Sequence, residues 1–147
     1  KNEILVSAGA NQGIKTGEAA IIIPDSSTSS SPIFIGKIER VFENVSQVET
    51  IFDSRFQSAV RIGKSGINAL LKGGDEPELS LIPKDANIAQ GDVVYSASPD
   101  LPYGLAIGSV NNIRISSNQL FQEADVETSY NPNELQSLLI ITNYHAP

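Results

Sequence analysis

Four short stretches of this 147-residue chain recur, in the same order, seventy-odd residues further along. Repetition restricts architecture more than any local propensity, because whatever the first copy builds the second must build again. Ile14-Lys15-Thr16-Gly17-Glu18 returns as Ile88-Ala89-Gln90-Gly91-Asp92, and Ile35-Gly36-Lys37-Ile38 as Ile107-Gly108-Ser109-Val110. Val48-Glu49-Thr50 returns as Val126-Glu127-Thr128, and Gln57-Ser58 as Gln136-Ser137. Two origins suit the pattern. One is a duplicated unit. The other is reuse of glycine wherever a small β-structure turns, since glycine takes φ > 0 without a Cβ clash. Both predict two similar units meeting in the glycine-rich stretch 63–74. The expected division is 1–62 and 63–147, with 63–77 as the connecting segment.

The units read as all-β. Apolar residues alternate or cluster in runs of a few residues bounded by Gly, Pro, Asn, Asp and Ser, which is a strand pattern. Eleven strands are expected, at 4–7, 18–23, 33–42, 47–52, 58–62, 68–72, 78–83, 92–97, 105–115, 121–127 and 138–142. Within the repeats, Gly17 and Gly91 are expected to turn the chain into a strand, with Ile14 or Ile88 plugging the core and Glu18 or Asp92 facing water. Gly36 and Gly108 lie inside strand patterns, where glycine marks a bulge or bend of the kind small barrels need at their corners. Closed barrels are therefore favoured over an open sandwich. The Ser-rich connector 24–32 is expected to be a mobile hairpin loop, and Asn131-Pro132-Asn133-Glu134-Leu135 to form one or two helical turns.

Counting residues removes most chemistries. Ten basic against seventeen acidic residues leave a charge of −7, and no two Lys or Arg are adjacent, so nucleic acid is not an expected partner. The absence of Cys excludes disulfides, thiolate zinc sites and thiol nucleophiles. The longest apolar runs, 19–23 and 138–141, are far below the roughly 20 residues of a spanning helix. Because Met is also absent, Lys1 reads as the start of an excised piece, with any anchor or coiled coil lying upstream. His145, the single histidine, stands near the C-terminus, where termini commonly fray.

Candidate motifs are correspondingly weak. The stretch 58–65 ends like a phosphate loop but begins with Ser58 instead of Gly and is followed by a strand where a helix should begin. Ser65 and Lys64 are adjacent, so a strand would point them to opposite faces. Asp75-Glu76-Pro77-Glu78 lacks the alternating ligand spacing of a calcium loop and reads as a solvated turn. Asn44-Val45-Ser46 matches the short glycosylation acceptor pattern but reads as a turn. Between Pro99 and Leu105, two prolines stiffen a loop carrying Leu101 and Tyr103. These two side chains either cap the barrel or form a preorganised protein contact, with Pro102 and Gly104 shaping the turn. A degenerate hydrolase on a double barrel, using Ser65 or a carboxylate pair, is the enzymatic alternative.

The second half carries a family resemblance. Leu81-Ile82-Pro83-Lys84-Asp85-Ala86-Asn87-Ile88-Ala89-Gln90-Gly91-Asp92-Val93-Val94 is followed by Leu101-Pro102-Tyr103-Gly104-Leu105-Ala106-Ile107-Gly108-Ser109-Val110 and by Phe121-Gln122-Glu123-Ala124-Asp125-Val126. In order and spacing these blocks resemble the extracytoplasmic β-domain of the MreC family of bacterial rod shape-determining proteins. Gly13 to Gly17, Ile35 to Ile38 and Ser46 to Val48 supply the looser first-half signature. The resemblance implies two small β-barrels side by side, distantly like a chymotrypsin double barrel, without catalytic groups or cofactor. It further implies a scaffold of cell-wall elongation, anchored to the membrane through a missing N-terminal segment and lying outside the cytoplasmic membrane. The implied partners are an elongation-specific class B penicillin-binding protein, which the scaffold would activate, the rod-complex proteins MreD, RodA and MreB, and further copies as a dimer or filament. A barrel domain of a secretion or efflux adaptor is the alternative reading.

Overall fold

Period-two alternation becomes strands throughout the computed structural model, which describes residues 3–24 and 31–142. The strands are β1 (Glu3–Val6), β2 (Ala19–Ile22), β3 (Ile33–Val41), β4 (Ser46–Thr50), β5 (Gln57–Ile62), β6 (Ile67–Lys72), β7 (Glu78–Pro83), β8 (Val93–Ser96), β9 (Ala106–Ile115), β10 (Phe121–Glu127) and β11 (Leu139–Ile140). In β5 Ser58, Val60 and Ile62 are buried while Gln57 and Ala59 are exposed, and in β10 Gln122, Ala124 and Val126 point inward. All eleven expected strands are present, with ends shifted by a residue or two. A 3-10 turn caps at Asn131, whose side chain accepts the Asn133 amide. A second one, at Ala10–Gln12, has no periodicity to announce it. The Ser-rich connector falls on residues 25–30 and His145 on 143–147, outside the described residues.

Six strands close on themselves in the order β5-β6-β7-β10-β9-β8, with β8 pairing back to β5. The other five run β1-β4-β3-β2-β11. A single parallel bridge, Ile33 to Ala106, joins the two units.

The repeat is reproduced bond for bond. The Gly17 amide donates to the Ile38 carbonyl at 2.8 Å, and Gly91 to Val110 at 2.8 Å. Returning bonds run from Ile38 to Glu18 at 2.9 Å and from Val110 to Asp92 at 2.8 Å. Both turn glycines are left-handed, at φ 88° and 92°. The acids do more than face water: Glu18 accepts the Lys15 amide at 2.7 Å and Asp92 the Ala89 amide at 2.8 Å, so each ties its own turn. In the next match, Ala20 faces Gly36 and Ile21 faces Phe34, leaving Ile35 as a bulged residue. Likewise Val94 faces Gly108 and Tyr95 faces Ala106, with Ile107 bulged. At the third, Val48 lies opposite Ile38 and Val126 opposite Val110. These strands come close enough that a Cβ on Gly36 would sit 2.3 Å from the Glu49 carbonyl, and one on Gly108 2.6 Å from that of Glu127.

The fourth match exposes an exchange. Ile62 of β5 faces Val94, and Ile140 of β11 faces Ala20. Each repeat therefore lends its fifth strand to the other: β5 follows β4 in the chain but joins β8, and β11 follows β10 but joins β2. β5 belongs to the closed barrel and β11 to the first unit. Among the described residues β6 has no counterpart bridging β1 and β11, so the first unit shows five paired strands beside the six of the closed barrel.

Two apolar clusters follow. The larger fills the closed barrel with Val60, Ile62, Leu71, Leu79, Ile82, Val94, Leu101, Ile107 and Ala124, and continues through Phe34, Ile51 and Phe56 into the first unit. The smaller holds Ile14, Ala20, Ile35, Ile38 and Val48, with Tyr130, Leu135, Leu138 and Ile140 packed on it from the C-terminal segment.

Candidate protein-contact site

The loop between β8 and β9 is built to split its two apolar side chains. The Ser96 amide donates to the Leu105 carbonyl at 2.7 Å, closing the loop base, and the Leu101 amide donates to Ser98 at 3.2 Å. This turns Leu101 inward, where it is 1% exposed among the barrel residues. Leu101 is thus a core plug, and the expectation that it contacts a partner is corrected: the desolvated barrel interior is the nearest apolar surface it can reach. After Pro102 the chain turns back through Gly104 at φ 80°, and Tyr103 is thrown outward, 75% exposed.

Tyr103 meets a residue forty-two positions away. β5 alternation sends Arg61 outward, register places it opposite Tyr95 of β8, and its Nη1 donates to Tyr103 Oη at 2.7 Å. The guanidinium carbon also lies 5.4 Å from the Tyr103 ring centroid, within cation–π range. Arg61, Lys64, Tyr95 and Tyr103, with Gly63, Gly66 and Gly104, line a cavity of about 320 Å³. Sequence reasoning singled out Tyr103 and missed Arg61, whose only signal is its outward position in a strand.

Charge is distributed unevenly around the arginines. Arg55 is held by Glu3 at 2.9 Å, Glu39 at 2.9 Å, Asp53 at 2.8 Å and Glu49 at 3.8 Å. Arg114 is held by Asp125 at 3.0 Å, Glu78 at 3.2 Å and Glu123 at 3.8 Å. Among the described residues neither Arg61 nor Lys64 has a carboxylate within 4.0 Å. Around Arg55 the titrations respond. Its hydrogen bonds hold the Asp53 carboxyl below the ordinary value, whereas burial, then repulsion from Glu39 and Asp53, raises Glu49. Burial also raises the Tyr130 phenol, whose hydroxyl has no hydrogen-bond partner among the described residues.

The remaining candidates are scattered. Lys64 and Ser65 occupy the turn between β5 and β6, Asp75 and Glu76 are exposed on the turn before β7, and Asn44 is in the β3–β4 turn accepting from Asn11 and Gln12. No group of three or more metal-ligating side chains forms among the described residues. Gly17, Gly36, Gly91, Gly104 and Gly108, with Asp92 and Pro102, sit in turns and strand contacts that shape the units.

The family model for the barrel core of the rod shape-determining protein MreC matches residues 1–142. No curated protein sequence matches the chain. Among solved structures, MreC from Pseudomonas aeruginosa superposes with a TM-score of 0.81 at 20% identity, covering 95% of this chain and 88% of that one. MreC from Listeria monocytogenes gives 0.83 at 18% identity, covering 99% and 70%. A chain in the complex between penicillin-binding protein PBP2 and MreC from Helicobacter pylori gives 0.62 at 15% identity, covering 86% and 97%.

Proposed function

Because the chain belongs to the MreC family of rod shape-determining proteins, we propose that it is an extracytoplasmic scaffold of cell-wall elongation that docks a penicillin-binding protein. The family is structural and not enzymatic, which removes the hydrolase alternative. The observation that carries the reading is the barrel-core match over nearly the whole chain. A relative of the same fold in complex with PBP2 supports the choice of partner. A solved relative described as a major periplasmic domain supports the compartment.

The scaffold acts by differential affinity: to activate a class B transpeptidase it must bind the active conformation more tightly than the inactive one. Tyr103 is the proposed contact. Anchorage by an upstream membrane segment and contacts to MreD, RodA and MreB belong to the same proposal. So does self-association, for which β1 offers an outer edge with Leu5 72% exposed. Biolayer titration against the periplasmic domain of the cognate elongation transpeptidase, with sedimentation alongside, tests it. Saturable binding is expected. A folded domain that does not bind, even when dimerised through a fused coiled coil to restore avidity, would overturn the reading.

A further inference from the structure

We propose that the Arg61–Tyr103 cavity is a carboxylate-binding site that receives an Asp or Glu side chain from an acidic peptide segment of a partner protein. The inference rests on the scaffold reading in taking the ligand to be a protein, and adds to it the chemistry of the contact.

Charge complementarity is the first argument. The chain is acidic overall, and it surrounds both Arg55 and Arg114 with carboxylates of its own. Arg61 is left on the Tyr103 hydroxyl, beside Lys64, which like it has no carboxylate within 4.0 Å among the described residues. Asp92, whose carboxylate would lie 3.6 Å from a Gly63 Cβ, is engaged by the Ala89 amide. Two cations against the one nearby carboxylate, Asp92, leave the cavity locally cationic on an acidic molecule, which attracts acidic segments and disfavours basic ones.

Preorganisation is the second. An arginine side chain carries about five N–H donors in a fixed fork. Tyr103 Oη takes one of them and holds the guanidinium in place, leaving others for a bidentate carboxylate. Tyr103 and Tyr95 supply aromatic walls for the methylene stem and its neighbour, and Arg with Tyr is the composition of interface hot spots. Ser96 also lines the cavity, and Gly63, Gly66 and Gly104 leave the rest of the wall bare of side chains, so the space admits a side chain from outside. At about 320 Å³ it is at the small end of ligand cavities and suits one residue with part of its neighbour.

The test is an amide-resolved NMR titration of the 147-residue chain with acetyl-Trp-Glu-Glu-amide, acetyl-Trp-Gln-Gln-amide and inorganic phosphate. The Glu peptide is expected to shift Gly63, Gly66 and Gly104 and to bind about tenfold or more tighter than the Gln peptide. Arg61→Gln is expected to lose that preference with the remaining spectrum unchanged, and Tyr103→Phe to weaken it by releasing the guanidinium. Equal binding of the two peptides, binding undiminished in Arg61→Gln, or phosphate binding as tightly as the Glu peptide would each overturn the site. A transpeptidase ectodomain that binds wild type and Arg61→Gln equally overturns the pocket and leaves the scaffold standing. An ectodomain that fails to bind even the coiled-coil-dimerised domain, while the Glu peptide still shifts the pocket, overturns the scaffold and upholds the site.

Discussion

Deleting residues 129–147 removes β11 and the segment leading to it, and should unfasten the first unit while leaving the closed barrel folded. In the intact chain Leu135, Leu138 and Ile140 are half-buried against Ile14, Ala20, Ile35, Ile38 and Val48. Half-burial of an aliphatic side chain is worth about 1 kcal/mol. Tyr130, packed edge-on against Phe52 at 6.2 Å, adds about 2 kcal/mol. The segment together contributes about 5 kcal/mol, comparable to the whole stability of a small domain. The closed barrel loses none of its six strands, because its borrowed strand β5 comes from the first repeat. Hydrogen exchange of the truncated chain should show protection collapsing in β2 and at the β2–β3 pairing while β5 to β10 stay protected, and urea unfolding should become biphasic. Unchanged protection in β2, or loss of protection in every strand together, would refute the exchange argument.

Gly36→Ala and Gly108→Ala should each cost about 2–3 kcal/mol, since a methyl would collide with carbonyls 2.3 Å and 2.6 Å away and force the strands apart. Gly17→Ala and Gly91→Ala, with open space but a left-handed backbone, should cost about 1–2 kcal/mol, and thermal melts would rank the pairs. Leu101→Ala should destabilise by about 2–4 kcal/mol in urea titration, as a cavity-forming change in a core, and a near-neutral result would contradict its burial. Arg55→Ala should lower Tm more at pH 7 than near pH 4.5. Glu49, with its pKa raised above 4.5, contributes stability present below that value and lost as pH rises through the raised one. Asp53, held below 3.8, contributes stability present above 3.8 and lost as pH falls through its depressed value. Without the guanidinium, protonation of Glu49 relieves the crowded carboxylates on acidification, so an equal Tm loss at both pH values would contradict this account.

Much of the architecture is local chemistry and was legible from residue order alone. Strands follow from alternation, and the Gly17 and Gly91 turns from a backbone only glycine adopts without strain. Equivalence of the units follows from the ordered matches, three of which recur in the hydrogen bonds and strand register. The absence of Cys and the single His exclude catalytic types by counting, and the blocks around Ile82, Gly104 and Phe121 carry the family. Pairing across long loops is another matter, because alternation says which face a side chain takes and not which strand lies beside it. The exchange of β5 and β11, the closure of one unit by β6, and the clasping of Arg55 by acids from three strands and a turn all depend on that pairing. The contact loop shows the same division. Its two prolines and two apolar residues announce a stiff turn, but only the nearby core decides that Leu101 goes in and Tyr103 goes out to meet Arg61. Sequence determines a residue's local conformation and face; tertiary structure chooses its neighbour, because burial and charge are settled between segments far apart in the chain.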